Sequence, residues 1–216
     1  EFFYFLKLTF ILGKNMTKSR LTYIKILSRL RRILKNEHLV LSVLGLIVGC
    51  GTGTLAVIFR EAIHFVDEQF FRAESDLTYN FAANLPWWQI LAIPSFGGLI
   101  VGVLTYNFMP NKHSQGVADV IEANALKEGK MPARTGLISA LSSIISIGVG
   151  ASVGREGPAV HLGATLSSLI AGRLHLSRSL TRTILGCGVG AAVAASFNAP
   201  IAGVLFASEV VVGHYA

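Results

Sequence analysis

The sequence predicts an all-α integral membrane protein whose helices are interrupted by Gly and Pro. Only 14% of its 216 residues are charged, against about a quarter in a typical soluble domain, and 52% are hydrophobic. Crossing a bilayer takes about 20 largely apolar residues. Uncharged stretches near or above that length occur at 39–59, 77–111, 135–154 and 183–208. We therefore expect a multi-pass membrane protein rather than a soluble domain.

The net charge of +7 is confined to the first 37 residues, since that segment holds nine Lys or Arg and two Glu, and the remainder is neutral overall. A basic flank before the first span is typical of a cytoplasmic end. We expect residues 1–37 to form a basic cytoplasmic N-terminal segment, with an amphipathic helix at 21–36 against anionic lipid. An RNA-binding tail is the alternative, but interleaved glycines and an aromatic platform are lacking, so we expect no nucleic acid partner.

Both ends of the chain are unusual for a complete protein. The sequence opens with Glu1 and an apolar run that is too short to span a bilayer, and Met16 precedes a suitable start. We therefore expect residues 1–15 to be non-native. The chain ends at Ala216, just after another apolar run, which indicates an incomplete protein.

The first membrane span is expected over 38–65. Gly45, Gly49 and Gly53 recur there every four residues, which places them on one face of a helix. Such a small-residue face predicts close packing against another helix. A polar loop is expected to follow over 66–84.

The remaining apolar segments are bounded by Pro, Gly and Trp. Pro86 and the two Trp residues after it open a second span, which we expect to run to 108. A brief helix is expected within 111–132. Four more apolar segments follow, several of them too short for a full crossing: 133–152, 157–173, 180–196 and 198–213.

Two of the short segments begin with a signal for a helix start, because Pro158 and Pro200 lie near their first positions. Interrupted helices are tolerated in a membrane where the freed backbone groups line a cavity in the protein. Their N-termini carry partial positive charge and free N–H donors. The pattern therefore predicts an anion site, rather than a cation site, at these half-helix starts.

Arg155 and Glu156 are the only charged residues between 135 and 172, and Gly154 and Gly157 flank them. An ionisable residue within a membrane marks a functional site by default. A mutual ion pair is disfavoured because adjacent residues on a helix do not face each other. A loop at the membrane interface stays open as an alternative. We expect the Glu156 carboxylate to lie over free N–H groups and to compete there with an anion.

Two stretches resemble the signatures of the CLC family of voltage-gated chloride channels and chloride/proton antiporters. They are GREGP at 154–158, followed by AVHLGA, and AASFNAPIAGVLFASEV at 194–210. Over about 22–216 the chain is similar to the first of that family's two inverted repeats. The resemblance implies that residues 38–216 form the N-terminal half of a CLC transmembrane domain, with tilted, interrupted helices and with the second half missing.

The resemblance implies a role for each matching position. Glu156 would be the gating glutamate, which closes the anion path from the outer side. Arg155 and Gly157 would support the anion through their backbone N–H groups. SQGVAD at 114–119 stands in the place of the family's GSGIPE motif. Its anion-binding positions would be Ser114, Gln115 and Gly116, and the structural positions of the motifs would be Gly154, Pro158, Asn198, Pro200 and Glu209.

Two departures from the family pattern bear on the transported ion. Gln115 replaces the serine whose hydroxyl binds the central anion; its amide is still a donor, but selectivity for chloride over another halide is in question. Val210 replaces the glutamate that accepts protons in exchangers, and a valine carries no proton. We therefore expect a channel-like chloride path. The alternatives are a proton-coupled exchanger of chloride or fluoride and a non-conducting truncated membrane subunit.

The resemblance also implies a homodimer in the plasma (inner) membrane. Cys50 and Cys187 lack metal-ligand spacing and are expected to be small buried residues in helix contacts. His161 is expected to pack within a helix. No phosphate-binding loop or hydrolytic triad pattern occurs, so we expect neither an enzyme nor a cofactor nor a metal site, with a halide as the transported ion.

Overall fold

The computed structural model describes residues 37–71, 85–110 and 112–213, and all regular structure among them is helical, as the sequence predicts. The helices are α1 (Glu37–Phe71), α2 (Trp87–Phe108), α3 (Val117–Leu126), α4 (Ala133–Gly148), α5 (Glu156–Arg173), α6 (Arg178–Phe197) and α7 (Pro200–Phe206), which continues as a π-helical segment (Ala207–Val212). The expectations for 1–36, including the helix at 21–36, lie outside the described residues. The chain divides after Val43 into two compact units, and the contacts below belong to the second unit.

Within the described part of the chain, three helices are long and apolar enough to cross a membrane by length and composition: His38–Phe71, Trp87–Phe108 and Arg178–Phe197. Large apolar side chains remain exposed on the first two of them; Leu46 is 71% exposed and Trp87 is 75% exposed. A bilayer stabilises such surfaces, whereas water does not. The second span begins and ends where the sequence predicts.

The first helix runs further than the predicted span at 38–65, because it continues to Phe71. The expected loop at 66–84 is therefore wrong for its first residues, and 72–84 lie outside the described residues. No Gly or Pro interrupts this part of the helix. Ile63 and Phe71 are buried and hold this part of α1 against the rest of the protein. The helix therefore continues through the polar residues between them.

The predicted glycine face of α1 is wrong at two of its three positions. A methyl group built on Gly49 or Gly53 would meet no atom within 4 Å. The helix instead buries Val48 and Thr52, and Thr52 Cγ2 would lie 2.8 Å from a methyl group on Gly163 of α5. Larger side chains one turn apart gain more from burial than the glycines do. They therefore decide which face of α1 packs inward.

Cys50 is exposed, so the expectation that it is buried is wrong. It lies two residues from both Val48 and Thr52, and two residues on an α-helix correspond to about 200°. The face that buries Val48 and Thr52 therefore turns Cys50 outward. Cys187 is half-buried, and its Sγ lies 3.5 Å from the place of a methyl group on Gly45.

A close helix contact joins α5 and α6 through glycines. A methyl group on Gly163 would lie 2.6 Å from the carbonyl oxygen of Gly188, and one on Gly188 would overlap Ser167 Oγ. Small residues let helix backbones approach in this way inside membranes. A larger apolar core surrounds this contact and joins α3, α5, α6 and the π-helical segment; it includes Val120, Val160, Leu185, Val189 and Val211.

The helices α4 and α5 form an antiparallel pair. A methyl group on Gly136 of α4 would lie 2.5 Å from Thr165 Oγ1 of α5. Since α4 ends at Gly148 and α5 begins at Glu156, the chain runs in opposite directions through the two helices. This pairing fixes the loop that precedes Glu156.

We predict that Gly188→Ala destabilises the chain by about 1–3 kcal/mol, the usual cost of overpacking a close contact. The thermal unfolding midpoint in detergent, followed by circular dichroism, measures the effect. Gly172→Ala is the matched control, because Gly172 is exposed and a methyl group there meets no atom within 4 Å. Equal midpoints for the two variants would contradict the importance of the α5–α6 contact.

Candidate anion site

The start of α5 offers N–H donors to an anion. The helix begins at Glu156, one residue before the predicted segment 157–173, and Arg155 is its N-cap, with φ −85° and ψ −13°. The first N–H groups of a helix have no partner within it. At α5 these include the N–H groups of Glu156 and Gly157, whereas Pro158 has none. The helix start therefore presents neighbouring donors and partial positive charge.

The Glu156 side chain folds back toward the loop before the helix. Its Oε2 would lie 2.7 Å from a methyl group on Gly154, so the carboxylate occupies space that a larger residue would fill. Glu156 is half-buried and Arg155 is exposed. Within the described part of the chain, these two side chains form no ion pair with each other. The carboxylate thus lies beside the positive end of α5, which stabilises it.

Arg155 lines a small cavity with a second guanidinium. The cavity has a volume of about 90 Å³, and Arg60 of α1 and Ser196 of α6 also line it. Its floor is apolar and includes the buried residues Phe59 and Ala159. Sequence reasoning missed Arg60, because nothing in the sequence relates it to a residue so distant along the chain.

The predicted inner positions lie in the loop before α3. Ser114 is exposed, Gln115 is half-buried, and Gly116 is the N-cap of the helix. Gly116 N donates a hydrogen bond to Asp119 Oδ2 at 2.8 Å, and Ser139 Oγ of α4 donates to the carbonyl oxygen of Gln115 at 3.1 Å. These two bonds fix the loop to α3 and α4.

A large cavity of about 770 Å³ opens beside Gln115, and Asp119 also lines it. Its rim carries Lys130, Glu128 and Arg178. The hydrogen bond from Lys130, together with the charges of Lys130 and Arg178, lowers the pKa of Glu128, so this carboxyl stays ionised. Sequence reasoning missed this group of charged residues, because Arg178 joins it from the start of α6.

Two of the candidate residues line different cavities, since Gln115 lines the large one and Arg155 lines the small one. The α4–α5 pair connects the two groups of candidate residues, because Ser139 of α4 bonds to the Gln115 carbonyl and α5 begins at Glu156.

The break between α6 and α7 lies where the sequence predicts a helix start. Asn198 adopts the left-handed conformation, with φ 53° and ψ 35°, and ends α6. Asn tolerates this conformation better than most residues. Pro200 is the first residue of α7, as expected for a helix start.

Residues 97–216 match the family described as voltage gated chloride channel. This match covers more than half of the chain. The chain belongs to the voltage gated chloride channel family. Membership of this family and the three long apolar helices place the chain in a membrane.

Curated relatives of this family resemble the chain over most of its length. A putative chloride channel protein ClcB-like from Ralstonia nicotianae is 37% identical over 80% of this chain and 41% of its own length. Voltage-gated ClC-type chloride channels ClcB from Shigella flexneri and Yersinia pseudotuberculosis are 31% and 27% identical over 78% and 79% of this chain. They are matched over 41% and 42% of their own lengths. The chain thus spans less than half the length of these relatives.

In this member of the voltage gated chloride channel family, Glu209 and Val210 lie in the π-helical segment after α7. Glu209 is exposed and Val210 is half-buried. Asn124 of α3 holds the segment, because its Nδ2 donates to the carbonyl oxygen of Val211. Arg182 Nε of α6 in turn donates to Asn124 Oδ1 at 3.3 Å. Sequence reasoning missed Asn124, whose partners are far away along the chain.

We predict that Asn124→Ala destabilises this family member by about 1–3 kcal/mol, since it leaves a buried carbonyl unpaired. Thermal unfolding in detergent measures the loss. Asn107→Ala, at an exposed position of α2, is the control and is expected to leave the midpoint unchanged. If both variants unfold at the wild-type temperature, Asn124 does not stabilise the fold in this way.

Proposed function

We propose that this chain supplies part of a path for passive chloride transport across the membrane, gated by Glu156. The observation that carries the proposal is the Glu156 carboxylate, which folds over Gly154 at the positive end of α5. The names of the relatives, which call them chloride channels or a putative chloride channel protein, support the choice of anion.

The gate follows from competition between two negative groups. A carboxylate at a helix N-terminus gains about 0.3–1 kcal/mol at an exposed site and up to about 2 when partly buried. A permeating anion gains from the same N–H groups of residues 156 and 157. Because the advantage of the carboxylate is small, an anion displaces it, and protonation removes its charge. Either event opens the path on the outer side.

Gln115 would bind the anion further along the path. Its side-chain amide donates hydrogen bonds, and the Ser114 hydroxyl supplies a further donor in the same loop, whereas Gly116 N already donates to Asp119 and so shapes the loop. The bond from Ser139 to the Gln115 carbonyl supports this assignment, because it holds the loop in one position. We assign Gly154, Pro158, Asn198, Pro200 and Glu209 structural roles around the path.

Channel-like rather than proton-coupled transport follows from Val210, which has no titratable group. The second candidate is proton-coupled exchange of chloride or fluoride, and the amide of Gln115 in place of a hydroxyl favours it. Parallel measurement of fluoride and chloride efflux from proteoliposomes separates the two anions. Fluoride efflux that is clearly faster than chloride efflux would select the second candidate.

We also propose an assembly and an orientation. The match to less than half of each relative supports residues 38–216 as the N-terminal half of a transmembrane domain. The basic segment 1–37 supports a cytoplasmic N-terminus in the plasma (inner) membrane. The resemblance of the sequence motifs to the CLC family supports a homodimer with one path in each subunit.

We predict that Glu156→Gln raises chloride flux at neutral pH, because the amide mimics the protonated carboxyl and no longer blocks the N–H groups. Flux from liposomes that contain the whole protein is measured with a chloride electrode.

Glu122→Gln is the matched control for this experiment. Glu122 is an exposed acid on α3 that pairs with Lys127 at 2.9 Å, and its loss should leave the flux unchanged. Wild-type flux in the Glu156 variant, or an equal rise in both variants, would overturn the gating role.

A further inference from the structure

The small cavity at the start of α5 is lined by two guanidiniums. Arg60 and Arg155 contribute these charges, Ser196 contributes a hydroxyl, and the remaining wall is apolar, formed by Val57, Phe59 and three alanines. Among the residues that the structure describes, no carboxylate belongs to this lining. Two cations beside one cavity repel each other, and an anion bound between them removes that repulsion. The lining therefore favours a negatively charged occupant.

Both guanidiniums are carried by helices that the fold holds in place. Arg155 is the N-cap of α5, which packs closely against α6. Arg60 follows the buried Phe59 on α1, and its Nε donates to His64 Nε2, one turn further along the helix, at 3.5 Å. A guanidinium carries five N–H donors in a planar fork, so Arg60 can keep this bond while it also binds an anion.

The size and the wall of the cavity fit a monatomic anion. The volume is about 90 Å³, and one water molecule takes about 30 Å³ in the liquid. The cavity therefore has room for one halide ion and a small number of waters. A phosphate group is a poorer fit, because the oxygens that face the apolar wall would lose their hydrogen bonds to water without gaining new ones.

The cavity lies at the end of the fold where α5 begins and α6 ends. Arg60 is the first charged residue after the uncharged stretch 39–59 of α1. Such a position is expected at the boundary of the membrane, where ions arrive from water. Arg155 directly precedes Glu156, whose carboxylate we assign as the gate. The cavity is thus bounded by the residue before the gate.

We propose that the small cavity is a further anion site, which binds a halide ion between the side chains of Arg60 and Arg155. From this site the anion goes on to displace the Glu156 carboxylate, a role that rests on the path proposed above. The binding of the halide follows from the lining alone. Loss of one guanidinium should weaken that binding about 3- to 10-fold, the usual worth of one hydrogen bond.

Anomalous X-ray diffraction from crystals of the whole protein, with bromide in place of chloride, locates a bound halide directly. We expect a bromide peak between the two guanidiniums in the wild type and its loss in Arg60→Gln. Arg173→Gln is the matched control, because Arg173 is an exposed arginine in the last turn of the same α5. Its peak should remain. If Arg60→Gln does not fold, Arg155→Gln replaces it, and the wild-type peak needs neither variant.

Chloride flux from liposomes, measured over a range of chloride concentrations, supplies the second readout. Arg60→Gln should raise the concentration at half-maximal flux about 3- to 10-fold. Arg60→Lys keeps the positive charge but not the planar fork, so it should recover part of the loss. Arg173→Gln should leave this concentration unchanged.

The proposal is overturned if the wild-type cavity holds no bromide, or if the tetrahedral density of a lipid phosphate fills it instead. A bromide peak that persists in Arg60→Gln, or a half-maximal concentration that this variant does not change, would also overturn it, because the halide would then be an adventitious ion only. Failure of the proposed function looks different. A bromide peak that depends on Arg60, in a protein without chloride flux, would remove the transport path and leave the anion site in place.

Discussion

The backbone contact between α5 and α6 is the constraint on which the site depends. Gly163 and Gly188 bring the two helices so close that a methyl group on Gly163 would lie 2.6 Å from the facing carbonyl oxygen. This contact fixes α5, which carries Glu156 at its start and His161 further along. It also fixes α6, whose Arg182 reaches Asn124. Side chains on both helices therefore share one rigid frame.

Buried polar side chains inside this frame divide into two kinds. Ser143, Thr165 and Ser167 each donate to the carbonyl oxygen four residues earlier on their own helix, at 2.8–2.9 Å. Such a bond costs the fold little, because the partner is always present. An imidazole is too large to satisfy both of its nitrogens in this way. His161 therefore stands apart from the hydroxyls around it, although all four are buried in similar helices.

The sequence predicts features that depend on local chemistry. Pro86, Asn198 and Pro200 mark helix boundaries because proline and left-handed asparagine act on the backbone where they stand. The family is also predicted from the sequence, because short contiguous motifs carry the resemblance. The start of α5 next to Glu156 is predicted to within one residue.

Features that depend on distant partners are not predicted. The glycine face of α1 fails because burial of Val48 and Thr52 outweighs the spacing of Gly49 and Gly53. The bond from Ser139 to Gln115 joins residues from different helices, so no local pattern encodes it.

The chloride path that we propose is gated by Glu156 and carries no protons through residue 210. Simultaneous recording of chloride and external pH, with liposomes that contain the whole protein, tests it most directly. We expect chloride efflux with a flat pH trace. Proton movement in a fixed ratio to chloride would contradict the channel-like assignment, and an absence of chloride efflux would contradict the path itself.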